Sequence, residues 1–360
     1  MTSAGESTQI PKKKHPLVQV LSVALTVVVL WLVFGVIIPR IANYAEIWDS
    51  ITSMHASAAI ALIVAGLALL VLMSLVLSAA LPGLRPWAAI STQPASMAVG
   101  AVVPGATVPA RALFLRPFGI TTANYTRSYA AAGLGTTLCV LLMTVVGLVI
   151  MLSVPQSSED TSGMRTTAVI VCIVAVAIAG VVIALITSPA ACRWCARAAI
   201  WLIGRSAWLS RKVAADTWES AITTWRSDTV QIVRERKARL VGVVLAVFWL
   251  QAALMIGCMY ACGLPTSALG ILTGLGTFTI ARLLLSVPLT PGGVGVLELG
   301  YSAIFGAMVA EQFDDSVVGG VLLFRALTYV MPVFLGGILL LVIRVRAMGR
   351  DRKGTKPERL

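Results

Sequence analysis

Long apolar runs alternate with short polar connections along this chain, and the lengths of the runs decide its class. Apolar stretches cover about 17–38, 58–80, 129–154, 167–187, 240–262 and 317–343. Each is close to the ~20 residues a helix needs to cross the hydrocarbon layer of a bilayer. Two further regions, 86–128 and 266–310, mix apolar residues with Pro, Gly and charge. The pattern predicts an all-α polytopic membrane protein. It should have about six full spans plus two Pro-Gly-broken, re-entrant or half-span regions. The first run is longer than the apolar core of a signal peptide and lacks a small-residue cleavage site, so it reads as an uncleaved span.

Composition narrows the picture. With 360 residues, 58% hydrophobic and 12% charged, there is room for one membrane domain and no sizeable soluble domain. The expected organisation is a polar head at 1–16, a membrane domain at 17–345 and a basic tail at 346–360. The membrane domain divides into a first half (17–187), a basic connection (188–239) and a second half (240–345).

The net charge of +13 is unevenly placed. The head carries three lysines against Glu6, the connection 188–239 ten Lys/Arg against four Asp/Glu, and the tail from Arg344 seven against two. The segments 40–57, 155–166 and 311–316 carry one, one and none. Positive charge marks the cytoplasmic side, so both termini and the connection should be cytoplasmic, in a cell membrane, and the other three segments outside. Basic residues flanking spans serve topology and attract anionic head groups. No nucleic-acid partner is expected.

The connection carries Trp194, Trp201 and Trp208 spaced by seven, and Trp218 and Trp225 likewise. Seven residues is about two helical turns, so each series stays near one face. The segment reads as helix, either resting on the inner leaflet or forming a hairpin whose tryptophans pack together.

The two mixed regions share a design. Pro104-Gly105 is followed by Arg111, and Pro291-Gly292 by Glu298; in each the next charge lies seven residues after the proline. Pro288 and Pro291 remove backbone donors, and Gly292, Gly293 and Gly295 free the backbone. A broken backbone at membrane depth must be buried in protein or line a cavity. On the charge-based topology the first region starts at the cytoplasm and the second outside. Opposite entry is the mark of an inverted repeat with a site near the midplane. On that reading Arg111 and Glu298 occupy equivalent positions and should approach one another. Arg282 and Glu298 flank the second break, and Arg325, with Tyr329 one turn on and Pro332 beyond, reads as a bundle-facing anion ligand or else as an arginine snorkelling outward, the neighbours Tyr329 and Pro332 favouring the first. Arg116 and Arg127 read as snorkelling to the interface.

Cys192 and Cys195 form a lone CxxC, and His15 and His55 are remote in sequence. Zinc needs about four ligands, so no metal, no cofactor and no disulfide framework is expected. No Ser/His/Asp constellation accompanies the breaks, so an enzyme is not expected either.

The run LTPGGVGVLELGYSAIFGAM, followed by FRALTYVMPVFLGG, resembles the lysylphosphatidylglycerol synthase transmembrane family, also called the flippase-like domain family. Its Pro-Gly-Gly-hydrophobic-Gly-hydrophobic-x-Glu motif falls on Pro291, Gly292, Gly293, Gly295 and Glu298. Its later Arg-containing helix falls on Arg325, Tyr329, Pro332 and Gly336. VVPGATVPARALFLRPFGI is similar to the family's first block, at Pro104, Pro109 and Arg111. The resemblance covers about 17–345 and implies a membrane domain that translocates or binds a phospholipid or polyprenyl-linked lipid. The best-known members add a soluble aminoacyltransferase. Here only seventeen residues follow the last span, so a stand-alone member that does not synthesise the lysyl-lipid is expected.

Two functions fit. In one, Arg111, Arg282 and Arg325 hold a lipid phosphate while Glu298 pairs with an arginine or holds a cationic group, and the head group passes through a midplane cavity. In the other, the protein presents a lipid-linked intermediate to a separate glycosyl- or acyltransferase without moving it. The expected lipid-handling residues are Pro104, Gly105, Arg111, Arg282, Pro291, Gly292, Gly293, Gly295, Glu298, Arg325 and Tyr329. Anionic or polyprenyl-linked membrane lipids are the expected partners.

Overall fold

The computed structural model describes residues 52, 54–103, 105–153, 170, 173, 176–181, 184, 188, 215–285 and 290–354. The first expected span (17–38), Pro104, the loop 155–166, much of 167–187, Trp194, Trp201, Trp208 and Pro288 lie outside the described residues. Among the described residues the fold is all helical. The elements are α1 (Ala56–Ala80), α2 (Pro86–Val102), α3 (Thr107–Leu115), α4 (Thr122–Ser153), α5 (Ala215–Ala261), α6 (Ile271–Leu284), α7 (Val296–Gly306), α8 (Asp314–Arg325) and α9 (Met331–Gly354).

Stretches at Ala56–Ala80, Thr122–Met151, Arg234–Ala261 and Glu311–Val342 are long and apolar enough to cross a membrane. This is a multi-pass membrane protein. Several hydroxyls within the spans bond to carbonyls of their own helices, as a lipid environment demands, although the buried Ser78 hydroxyl has no partner. Ser74 donates to the Leu70 carbonyl at 2.7 Å and Thr144 to that of Val140 at 2.9 Å. α1 stops where Pro82 offers no donor and Gly83 turns at φ 78°. Proline opens α2 as well: Pro86 follows the extended N-cap Arg85, where its missing N–H is harmless.

Three boundaries depart from the apolar pattern. The third span starts at Thr122 rather than near Tyr129, because Thr122 to Arg127 continue the helix as largely exposed first turns that bury only Tyr125. The fifth span is the end of one helix that starts at Ala215, so the close of the basic connection is helical and continuous with the span. The last span is interrupted: a π-helical turn at Ala326–Val330 separates α8 from α9. A single π turn inserts an extra residue into the ladder and re-aims the side chains around it. Here it follows Arg325 and contains Tyr329.

α1 packs along α5, α4 along α5 and α6, α9 along α2, and α5 along α8. Lipid tails are as apolar as leucine, so close packing rather than water exclusion holds such helices together. Glycines permit the closest crossings. A Cβ on Gly276 of α6 would lie 3.0 Å from the Gly147 carbonyl of α4, and one on Gly336 of α9 would collide with the Pro94 carbonyl of α2. At the centre, Phe248, Phe278, Tyr301 and Phe324 form a chain of aromatic contacts with centroids 5.6, 6.0 and 6.2 Å apart. Each such pair contributes about 0.5–1.5 kcal/mol beyond area. The chain ties α5, α6, α7 and α8 together beside the second break.

Candidate lipid-binding site

Both breaks turn on a glycine in the left-handed region. Gly105 has φ 77° and Gly292 has φ 67°, each directly after the proline. Gly292 has a second reason to be glycine: a Cβ there would come within 2.7 Å of the Tyr329 hydroxyl. The chain leaves the second break through Gly295 (φ 86°, ψ −49°), the N-cap of α7. The Glu298 carboxylate, three residues on, accepts the Gly295 N–H at 2.7 Å through Oε2. This is half of a capping box, since glycine has no side chain to return the bond. It also sets a negative charge at the positive end of the helix.

The other oxygen of Glu298 is held by Arg325. Arg325 Nε donates to Oε1 at 2.8 Å, and the two side chains are 11% and 5% exposed. Arg325 also donates from Nη2 to the Gly292 carbonyl at 2.9 Å. Its guanidinium carbon lies 5.0 Å from the centroid of the Tyr329 ring, within cation–π range. One arginine thus fastens the broken loop, the start of α7 and the π turn together.

Arg111 is elsewhere. It is buried on α3, 6% exposed, and donates to the carbonyls of Ser74 and Ala89 at 3.4 Å each. Among the described residues no carboxylate pairs with it, and its Nε has no hydrogen-bond partner. The approach of Arg111 to Glu298 expected from the sequence is therefore not formed. The physical reason is helix packing: α8 sets Arg325 on Glu298, while α3 carries Arg111 against α1 and α2.

Two cavities lie between these groups. The first, about 330 Å³, is lined by Arg111, Gln93, Tyr129, Thr136 and apolar residues of α1, α4 and α5. The second, about 290 Å³, is lined by Gly292, Tyr301, Arg325, Thr328 and Tyr329, with Gly100 and Thr107 from the first break. Met73, Gln251 and Arg282 line both. Arg282, in the last turn of α6, shares the wall of the second cavity with Tyr301 at this junction.

The residues singled out in the sequence thus fall into groups. Arg282, Gly292, Arg325 and Tyr329 line the second cavity, with Glu298 directly behind Arg325. Arg111 and Arg282 line the first. Pro291 and Gly293 lie in the 3₁₀ turn and Gly295 caps α7, shaping the loop without lining a cavity. Gly105 is exposed and lines neither. Arg116 and Arg127 are exposed.

Sequence reasoning missed Gln251, Gln93 and Tyr129. Gln251 had a signal, since it is the only amide side chain within the apolar run 240–262. Gln93 and Tyr129 had none.

Residues 19–336 match the sequence profile of the lysylphosphatidylglycerol synthase TM region. The chain belongs to that family. Membership associates it with lipid handling in the membrane. No curated protein matches the chain.

Proposed function

We propose that this family member binds a phospholipid or polyprenyl-linked lipid by its head group in the two adjoining cavities and moves that head group across the membrane. The acyl or prenyl tails would stay in the bilayer. The observation that carries this reading is that Met73, Gln251 and Arg282 line both cavities, one of which holds Arg111 on its wall and the other Arg325. Ligand pockets typically span about 300–1,000 Å³, so the paired cavities suit a head group and exclude the tails.

Alternating access around a broken-helix site is the natural mechanism for a pair of inverted repeats. Three correspondences support such a repeat. Gly105 and Gly292 take the same backbone turn after their prolines. α4 packs on α6 as α9 packs on α2. Each of those crossings is close at a glycine, Gly147 in one and Gly336 in the other. With the spans expected at 17–38 and 167–187, the reading has six full crossings, both termini in the cytoplasm and the site near the midplane of the cell membrane.

The deciding experiment is head-group translocation in proteoliposomes holding a fluorescent phospholipid in both leaflets. External dithionite should bleach close to all of the label when the full chain is present, and only the outer-leaflet label without it. Binding without movement would instead favour the accessory role, in which the lipid is presented to a separate transferase.

A further inference from the structure

The two helices of the last apolar run are fastened to different neighbours. α8 lies against α5 so closely that a Cβ on Gly320 would come within 2.6 Å of the Met259 Cα. Its last residue, Arg325, is pinned to Glu298 and to the Gly292 carbonyl. α9 packs along α2 instead, with no room for a Cβ between Gly336 and the Pro94 carbonyl. α2 carries α3 folded tightly back on it, since a Cβ on Gly100 would collide with the Thr107 hydroxyl. Backbones this close leave little freedom for one helix to slide on the other.

The π turn lies between the two fastenings. The Met331 N–H donates to the Ala326 carbonyl, five residues back rather than four. Pro332 follows with no N–H to give, and in a regular α ladder its ring would press on the Thr328 carbonyl. The ladder is thus interrupted by both of the features at which helices bend, a proline and a π turn. The second cavity has walls on either side of this point. Gly100 and Thr107 belong to α2 and α3, Leu297, Tyr301 and Arg325 to the bundle of α5 to α8, and Tyr329 to the turn itself.

We propose that the π turn and Pro332 form a hinge about which the arm of α2, α3 and α9 swings against the bundle of α5, α6, α7 and α8, opening and closing the second cavity, with Tyr329 as the latch. Latched, the Tyr329 ring lies against Gly292 and under Arg325. The swing withdraws the ring, while Arg325 stays on Glu298 because the pivot comes after it. A bend of about 20° at the turn carries Leu341, eleven residues beyond Val330 and so about 16 Å along the helix, through about 6 Å. The use of the hinge, admitting a head group, rests on the lipid-handling reading above; the hinge itself does not.

The test measures distances between spin labels on the full chain in liposomes, with the six native cysteines replaced. Lys237→Cys, Trp87→Cys and Leu341→Cys place labels at exposed positions on α5, α2 and α9. The pair 237/341 crosses the hinge and the pair 87/341 lies within the arm. Tyr329→Ala removes the latch. It should shift the 237/341 distance by about 6 Å, or split it into two peaks so separated, and leave 87/341 unchanged. Adding Pro332→Ala returns a backbone donor and should restore a single peak near the original distance. No change in 237/341, or an equal change in 87/341, overturns the proposal. Hydrogen exchange of the unlabelled, unsubstituted chain is a second readout that needs no variant. The amides of 326–331 should exchange at least about tenfold faster than those of 316–324, and equal protection overturns the proposal. Neither readout needs movement of lipid. A hinge without translocation sinks the transport reading and leaves this one standing, and translocation with a rigid turn does the reverse.

Discussion

Arg325 bonds Glu298 through Nε at 2.8 Å and Gly292 through Nη2 at 2.9 Å, so one side chain spans from α8 to both sides of the second break. Glu298 is buried and Arg325 nearly so, and removal of either leaves the other charge without its partner. Breaking a buried pair in this way costs about 3–5 kcal/mol. Arg325→Ala and Glu298→Ala should each destabilise the protein on that scale in detergent unfolding. The double change should fall short of the sum by about 0.5–3 kcal/mol, because the two residues touch. Arg111→Ala combined with Glu298→Ala should instead be additive to within about 0.5 kcal/mol. Strong coupling of Arg111 to Glu298 would contradict the arrangement described above.

Tyr329 and Gly292 give a second test. A methyl group on Gly292 faces two separate penalties: the left-handed backbone, worth about 1–3 kcal/mol, and contact with the Tyr329 ring. Gly292→Ala should therefore be destabilising, and adding Tyr329→Ala should relieve only the contact. Tyr329→Phe should be mild, since the ring still lies under Arg325; Tyr329→Ala alone should forfeit a cation–π interaction of about 0.5–2 kcal/mol. Full rescue of Gly292→Ala by Tyr329→Ala would mean that the backbone there is unstrained. Thermal unfolding of the four variants separates the cases.

The apolar runs were enough to read α1, the apolar end of α5 and the existence of both breaks, because a bilayer leaves helix as the only spanning form and prolines and glycines have few places in it. The positions of Gly292, Glu298 and Arg325 were legible for the same reason: charge and broken backbone are conspicuous among apolar residues. Pairing was not. Whether Arg111 or Arg325 reaches Glu298 is set by how α3 and α8 pack in three dimensions, and no residue in ALTYV announces the inserted position of the π turn that follows Arg325. Gln251 was passed over because one amide in a long span is weak as a local signal. It gains meaning only where α5 meets Met73 and Arg282.

Orientation can be measured directly. In a chain whose six native cysteines are replaced, Gln312→Cys lies in the exposed turn before α8 and Lys237→Cys on the exposed start of the α5 span. The charge distribution places the first outside and the second in the cytoplasm. A membrane-impermeant maleimide added to intact cells should modify Cys at 312 and spare 237 until the membrane is opened. The reverse pattern would invert the whole assignment, and labelling of both from outside would break the span between them.

The last test concerns the two glycine crossings, which look alike in sequence and differ in what obstructs a side chain. At Gly336 a Cβ collides with the carbonyl of Pro94 and approaches the Ala95 nitrogen at 2.9 Å, and both are backbone. Backbone cannot rotate away, so Gly336→Ala must separate α9 from α2, and overpacking of this kind costs about 1–3 kcal/mol. Its neighbour Gly337 has nothing within 4 Å, so Gly337→Ala should be neutral or stabilising by about 0.5–1 kcal/mol through helix propensity. At Gly147 the nearest obstacle is the Thr279 hydroxyl, a side chain, with the Gly276 carbonyl farther off at 3.1 Å. Gly147→Ala should accordingly be rescued only in part by Thr279→Ala, which removes the hydroxyl and its bond to the Gly276 carbonyl but leaves the Thr279 Cβ 2.7 Å away. No side-chain deletion at 94 or 95 should rescue Gly336→Ala. Unfolding midpoints in detergent check each variant; if Gly336→Ala and Gly337→Ala behave alike, the close approach of α9 to α2, and with it the matching of the two crossings, is wrong.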